Sequence, residues 1–492
     1  MSSRLIPPKL PAKSETVFTI SSGSFERMQR GIASISANSL NKRHFPSITG
    51  IPASGPMSPR PSTAVPSVIT ATVFQRRVSS YDFDMSSLIA RQGSATPGVY
   101  ATAKSSLFFT CVIGETEIFR AEVAVKNGKI TEIAERIDAP ATAEVIDGNG
   151  QYLSPGFIDL HVHGGGGYSA MGGKDAVVNM CEAHAKYGTT SILPTTLAAP
   201  IAQLKTAIDG IRAAQSATDK VHILGVHLEG PFLSPKMCGA QSPENILVPA
   251  EHDYADLLSY WDGIKIVGAA PETDGGLALG KAIRAHGAVA SVAHSTADYD
   301  MAQTAFQNGY SDVTHLYNAC TSCHKVGVFR HAGTVEAALC NDEVTTQVIA
   351  DLRHQPAGVL KLIYKCKGAD KMYLITDGLE YAAMDIHEGE EFTQENGMSV
   401  VYEDGVMLLS DRSCLAGSVA TCDKLVRNMY KTVGVPLADC VKMASLTPAR
   451  VVGADTHVGK IAVGYDADLL LFDDNITLSA VFVAGHRITP KP

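Results

Sequence analysis

The sequence predicts an α/β protein: a (β/α)8 barrel of the TIM type, with a small β-sandwich satellite domain formed by both ends of the catalytic region. Three observations carry that expectation. Strand-length apolar runs alternate with helix-period segments over about 300 residues, the pattern of a parallel sheet with crossover helices. Eight such runs are present, the number that closes a barrel. The stretches on either side, around residues 107–133 and 459–485, alternate apolar and polar residues around turn sequences and read as hairpins.

Composition narrows the class. The chain has 492 residues, 45% hydrophobic and 18% charged, so neither a wholly disordered chain nor a coiled coil fits. A net charge of -9, from 41 Lys+Arg against 50 Asp+Glu, argues against a general nucleic-acid binder, which needs a basic surplus. No apolar run reaches the ~18 residues of a membrane span. The ten cysteines lack the dense spacing of a disulfide scaffold, so reduced thiols and a cytoplasmic location are expected.

In chain order, residues 1–104 are Ser/Pro-rich, and Glu15 and Glu26 are the only acids before Asp82. They are expected to be a disordered extension, with organelle targeting or a later start at Met85 as alternatives. Residues 105–153 with 456–492 are assigned to the satellite and 154–455 to the barrel. The predicted barrel strands are 157–162, 191–194, 223–228, 264–267, 288–292, 312–314, 347–349 and 372–375. Residues 175–187 have helical period and stop at Gly188.

Barrel active sites collect at the C-terminal ends of strands, and here those ends carry metal ligands. His161 and His163 lie two residues apart, on one face of strand one. Glu229 closes strand three, and His294 and His315 follow strands five and six, completing a ligand set of imidazoles and a carboxylate. Asp377 follows strand eight, where a carboxylate can take a proton from a water activated by the metal. One histidine alone is more often a satisfied core residue, but repetition at successive strand ends favours ligation. His227 is read as structural or supporting, and His222, His252, His286, His387 and His457 as surface or loop residues. Gly164 to Gly167 lack a phosphate-loop context and read as a flexible turn. Cys320-Thr321-Ser322-Cys323-His324 matches a haem-attachment pattern but falls between a barrel strand and helix, so it is taken as coincidental.

Five segments together resemble the N-acetylglucosamine-6-phosphate deacetylases of the amidohydrolase superfamily. They are Ser154-Pro155-Gly156-Phe157-Ile158-Asp159-Leu160-His161-Val162-His163, His227-Leu228-Glu229-Gly230-Pro231-Phe232, Thr314-His315-Leu316-Tyr317-Asn318-Ala319, Leu415-Ala416-Gly417-Ser418 and Ala444-Ser445-Leu446-Thr447-Pro448-Ala449-Arg450. The resemblance implies removal of an acetyl group from an amino-sugar phosphate. It makes Glu229, His294 and His315 the principal metal site, His161 and His163 a second one bridged by Glu229, and Asp377 the catalytic aspartate. One or two divalent ions per subunit are implied, zinc first, with iron, manganese or cobalt as alternatives. Gln241 stands where many members carry the His that contacts substrate; Asn318, Ala319, Arg330 and His354 match the phosphate-binding and sugar-binding positions. In this family the Arg can come from a neighbouring subunit, which implies a homodimer. Alternatives are a deacetylase of another N-acetyl amino sugar, such as N-acetylgalactosamine-6-phosphate or an unphosphorylated sugar, and a catalytically inactive scaffold.

Overall fold

The computed structural model describes residues 105–138, 140–394 and 397–491, so the expectation for the 1–104 extension lies outside the described residues. Strands β1 (Ser105–Ile113), β2 (Ile118–Lys126), β3 (Lys129–Ala134) and β4 (Glu144–Pro155) are followed by the barrel strands. These are β5 (Phe157–Val162), β6 (Thr189–Thr196), β7 (Val226–Glu229), β8 (Ile264–Ala269), β9 (Val289–Val292) and β10 (Tyr310–Val313). A hairpin, β11 (His324–Val326) and β12 (Phe329–His331), precedes the last two barrel strands, β13 (Thr345–Val348) and β14 (Met372–Leu374). A three-stranded insert, β15 (Glu391–Thr393), β16 (Ser399–Glu403) and β17 (Val406–Leu409), then precedes β18 (Leu469–Phe472), β19 (Leu478–Val483) and β20 (His486–Ile488).

All eight expected barrel strands form, in the order β14-β13-β10-β9-β8-β7-β6-β5. The third differs from expectation: 223–228 is broken after Ile223 and resumes at Val226, across Gly225 at φ 145°. A Cβ on Gly225 would lie 2.2 Å from the Gly263 carbonyl, so the close approach of the next strand requires glycine there. The seam between first and last strands is closed just beyond β14. Asp377 N–H donates to His161 O at 2.9 Å and His163 N–H to Gly378 O at 2.8 Å. The buried Asp159 carboxylate adds a side-chain clasp, accepting from Thr376 N–H at 3.2 Å and from its hydroxyl at 2.5 Å.

The helices cover the barrel because their apolar residues fall on one stripe. In α1 (Lys174–Ala185), Val177, Met180, Cys181, His184 and Ala185 are buried, the 3–4 spacing of a helix face. Strand residues such as Val162, Leu228 and Val292 join these helix faces in one cluster, and Ile158, Leu160, Ile266 and Tyr373 form a second.

Both described ends of the chain join one seven-stranded sheet, β20-β19-β18-β4-β1-β2-β3. The two layers of the expected sandwich are halves of this single sheet, rolled over a shared core. Phe108 on β1 and Phe482 on β19, separated in the sheet by β4 and β18, meet edge to face at 5.1 Å. Ile130 on the outer strand β3 bonds to Tyr465 O at 2.9 Å, bringing that edge to the segment before β18. Among the described residues no helix is long and apolar enough to cross a membrane, and the ten cysteines are all free.

Candidate metal centre and substrate cleft

The ligand residues sit at or just past strand ends: His161 in β5, His163 directly after it, Glu229 at the end of β7, and His294, His315 and Asp377 after β9, β10 and β14. Three of them have left-handed backbones, His294 at φ 44°, His315 at φ 29° and Asp377 at φ 49°. Such conformations cost about 1 kcal/mol or more each for residues with a Cβ, and here they turn the chain sharply at the barrel mouth.

Glu229 lies at the centre. Its Oε1 is 2.9 Å from His315 Nε2, 3.1 Å from His294 Nε2 and 3.4 Å from His161 Nε2, while Oε2 is 3.2 Å from His163 Nε2. Asp377 Oδ1 lies 3.2 Å from His163 Nε2 and 3.5 Å from His161 Nε2. Two triads result, His161–His163–Asp377 and Glu229–His294–His315, each with its donor atoms within 4.8 Å of one another.

The charges sustain each other. Burial alone would raise Glu229, but the charges of His161 and His294 and the hydrogen bonds of His161 and His163 hold it well below the ordinary carboxylate range. Asp377 is likewise lowered to about 2 against burial, by His161 and His163. Burial disfavours a charged His163, yet its hydrogen bonds to Asp377 and Glu229 raise it to about 10. Burial and the charge of His161 drive His227 well below its usual value, so this ring, 4.6 Å from that of His161, stays neutral and supporting.

The donor set fits a divalent cation. Nε2 atoms face one another at 3.2 Å in His161–His163 and at 3.3 Å in His294–His315. With the protons between them removed, these paired imidazoles and the buried carboxylates beside them offer the nitrogen and oxygen donors that a divalent cation takes. Second ring nitrogens are also engaged: His163 Nδ1 pairs with Thr195 O at 3.2 Å, His294 Nδ1 with Met237 O at 2.8 Å and His315 Nδ1 with Asn318 O at 3.1 Å. Each carbonyl orients the opposite nitrogen inward.

The cluster opens into a cleft of about 390 Å³ that Gln241, Asn318, Ala319, His354 and Asp377 help to line. Gln241, expected to contact substrate, lines the cleft and is also engaged within the site: its Nε2 donates to Glu229 Oε2 at 2.6 Å and its Oε1 accepts from Ala198 N–H at 2.8 Å. His354 is held by Asp351, whose Oδ2 lies 2.7 Å from its Nδ1, leaving Nε2 as the ring's other polar atom. Positive φ recurs at His315, Tyr317 and Ala319, turning the chain sharply along the cleft wall, where the Leu316 and Asn318 N–H groups donate to Gln347 O and His315 O, each at 2.8 Å. Arg330 is not brought to the cleft of its own chain; it stands exposed on the β11–β12 hairpin.

Two further features of the cleft escaped the sequence, Lys236 and the three-stranded insert. Lys236 lines the cleft, and the β15–β17 insert leads into Cys414 to Gly417 on the cleft wall. Of the four glycines expected to form a turn, Gly166 and Gly167 do so at φ 63° and 89°, whereas Gly164 and Gly165 pack tightly: a Cβ on Gly164 would lie 2.5 Å from Glu380 N, and one on Gly165 2.5 Å from His184 Nε2. A larger cleft of about 550 Å³, bordered by His222, Lys265, His457 and Ala484, lies outside this cluster and includes none of its ligands.

Imidazoles and carboxylates converging at the C-terminal mouth of a (β/α)8 barrel define a metal-dependent hydrolase. The chain belongs to the amidohydrolase family, whose sequence profile matches residues 152–489. It is 32% identical over 382 residues to N-acetylglucosamine-6-phosphate deacetylase of Lysinibacillus sphaericus, covering 74% of this chain and 92% of that one. It is 30% identical over 355 residues to N-acetylgalactosamine-6-phosphate deacetylase of Escherichia coli O157:H7, covering 70% and 90%. The crystal structure of N-acetylglucosamine-6-phosphate deacetylase from Pasteurella multocida superposes with a TM-score of 0.72 at 30% identity, covering 78% of this chain and 99% of that one.

Proposed function

We propose that the protein hydrolyses the acetamide of N-acetylglucosamine-6-phosphate, giving glucosamine-6-phosphate and acetate. The observation that carries this reading is Asp377: an ionised carboxylate within the His161–His163–Asp377 triad, next to the Glu229–His294–His315 triad and lining the cleft. Relatives bearing that name match most of the chain.

Glu229, His294 and His315 would hold one divalent cation, and His161, His163 and Asp377, with Glu229 between the triads, a second. The cation supplies Lewis acidity, polarising the acetamide carbonyl and acidifying water. Zinc suits this donor set, with iron, manganese and cobalt as alternatives. Asp377 takes a proton from the water as its oxygen bonds to the carbonyl carbon. It returns that proton to the nitrogen as the C–N bond breaks, because an amide nitrogen leaves poorly as an anion. Gln241 keeps Glu229 in place. His354 and the turn through Ala319 bind the phosphate end, and Arg330 of a second copy completes that site in a homodimer. The exposed Val326, Val328 and Phe329 beside Arg330 support such a contact. Ten free thiols suit the reducing cytoplasm.

N-Acetylgalactosamine-6-phosphate is the second reading, since relatives acting on that epimer are also about 30% identical. Acetate release from both phosphosugars and from unphosphorylated N-acetylglucosamine, using metal-analysed protein, decides between them. Selective turnover of the glucosamine epimer is expected. Preference for the galactosamine epimer transfers the assignment, and no turnover by metal-replete protein removes it.

A further inference from the structure

Three of the four histidine ligands pair Nδ1 with main-chain carbonyls, which no side-chain substitution deletes. His161 alone relies on side chains. Its Nδ1 is 2.8 Å from Gln347 Oε1, and Gln347 Nε2 donates to Asp312 Oδ2 at 2.9 Å. An amide has one donor end and one acceptor end, and either can face an imidazole. Asp312 settles which does. Its carboxylate collects four donors: Thr345 Oγ1 at 2.6 Å on Oδ1, and Ser291 Oγ at 2.8 Å, Gln347 Nε2 and Tyr373 OH at 3.0 Å on Oδ2. Ser291, Asp312, Gln347 and Tyr373 are fully buried, so water does not offer a competing partner.

An acceptor below Gln347 turns its NH2 downward and its oxygen up toward His161. The His161 proton then sits on Nδ1, and Nε2 presents a lone pair toward Glu229 and Asp377. Reversing the amide would set its oxygen against a carboxylate and its NH2 against Nδ1, leaving the proton on Nε2, where it blocks ligation.

We propose that Asp312 and Gln347 form a carboxylate–amide relay that positions His161 and sets the cation affinity of the His161–His163–Asp377 triad. Whether the centre holds one ion or two is then decided beneath the site, in the barrel interior. The inference rests on the functional reading above only in taking the cluster as a metal centre.

The test strips the protein of metal and titrates it with Zn²⁺ against a chromophoric chelator, comparing wild type with Gln347→Leu and Asp312→Asn. Wild type is expected to take two equivalents. The variants are expected to bind the first as wild type does and the second tenfold to a hundredfold more weakly, the usual effect of removing a ligand's outer partner. A second equivalent bound as in wild type overturns the relay. So does equal weakening of both equivalents with a lowered melting temperature before metal is added, the mark of a merely structural network. A wild type that takes a single equivalent overturns it too. Should the variants not fold, two-bond ¹H–¹⁵N correlations of the zinc-loaded wild-type protein read the His161 tautomer directly: a proton on Nδ1 is expected, and one on Nε2 refutes the proposal. Two ions bound without acetate release would strike the deacetylase reading and leave the relay standing.

Discussion

Gln241 donates to Oε2 of Glu229 across 2.6 Å, and the far end of the same amide is pinned by Ala198 N–H at 2.8 Å. The amide thus steers a ligand carboxylate, with one N–H left over to face the cleft. Gln241→Leu is expected to leave Glu229 free to rotate and to lower kcat/KM by about tenfold to a hundredfold, with metal lost in parallel. Steady-state kinetics and metal analysis on the same preparation check this; intact metal content with only a raised KM would assign Gln241 to substrate instead.

Asp377→Asn keeps the side chain's size and removes its capacity to take a proton. We expect kcat to fall by about 10²–10⁴ while KM changes little. The protein should retain at least the ion at Glu229, His294 and His315, so acetate release and metal content are predicted to separate.

Arg330 stands on an exposed hairpin and does not line the cleft of its own chain, so its proposed role from a second copy allows complementation. Arg330→Ala and Asp377→Asn chains, each nearly inactive, should recover about a quarter of wild-type activity when unfolded and refolded together. Half of the dimers are then mixed, and each has one complete site. The same activity whether the variants are refolded together or apart would place the phosphate cation elsewhere, with Lys236 the nearest candidate on the cleft wall.

His222 Nε2 lies 3.1 Å from Asp468 Oδ1, an oxygen that also accepts Ala484 N–H at 2.8 Å. Burial works against a charged ring, but the hydrogen bond and charge of Asp468, aided by Asp466 and opposed by Lys129, raise His222 above its usual value. The stabilisation is therefore complete below the unfolded-state value of about 6.5 and fades as pH rises through the higher folded-state value. His222→Gln should lower stability by roughly 0.5–1 kcal/mol at pH 6, with the difference vanishing toward pH 9. Denaturant melts at the two pH values measure it, and a pH-independent difference would assign the effect to packing.

The barrel was legible because each of its strands is an apolar run bounded by a helix-period segment, and five ligands showed as polar residues ending those runs. What escaped notice has physical causes. Asp312 and Gln347 lie within the predicted strands and look like ordinary polar positions, because their work depends on partners from β9, β13 and β14 that only closure brings together. Gln241 matched a substrate position by motif, yet its contact with Glu229 depends on how the loop after β7 folds back. Arg330 was recognisable by motif while its distance from the cleft was not, since local sequence does not say which copy of a chain a hairpin serves. The rolled satellite likewise reads as two layers, because alternation reports which residues face a core and not whether the layers are joined.

The rolled sheet also constrains synthesis. β4 enters the barrel, but its partner β18 is made more than 300 residues later, when Leu469 to Phe472 pair with Tyr152 to Pro155. Until then β4 presents an unpaired edge directly upstream of the strand bearing His161 and His163, inviting non-native pairing with other chains. A nascent chain that has emerged beyond Asp377 but not yet to residue 469 therefore holds a barrel whose ligands are all present and whose entrance strand has not been fastened. Premature termination in the last two dozen residues would spare every catalytic group and still leave the product prone to aggregate.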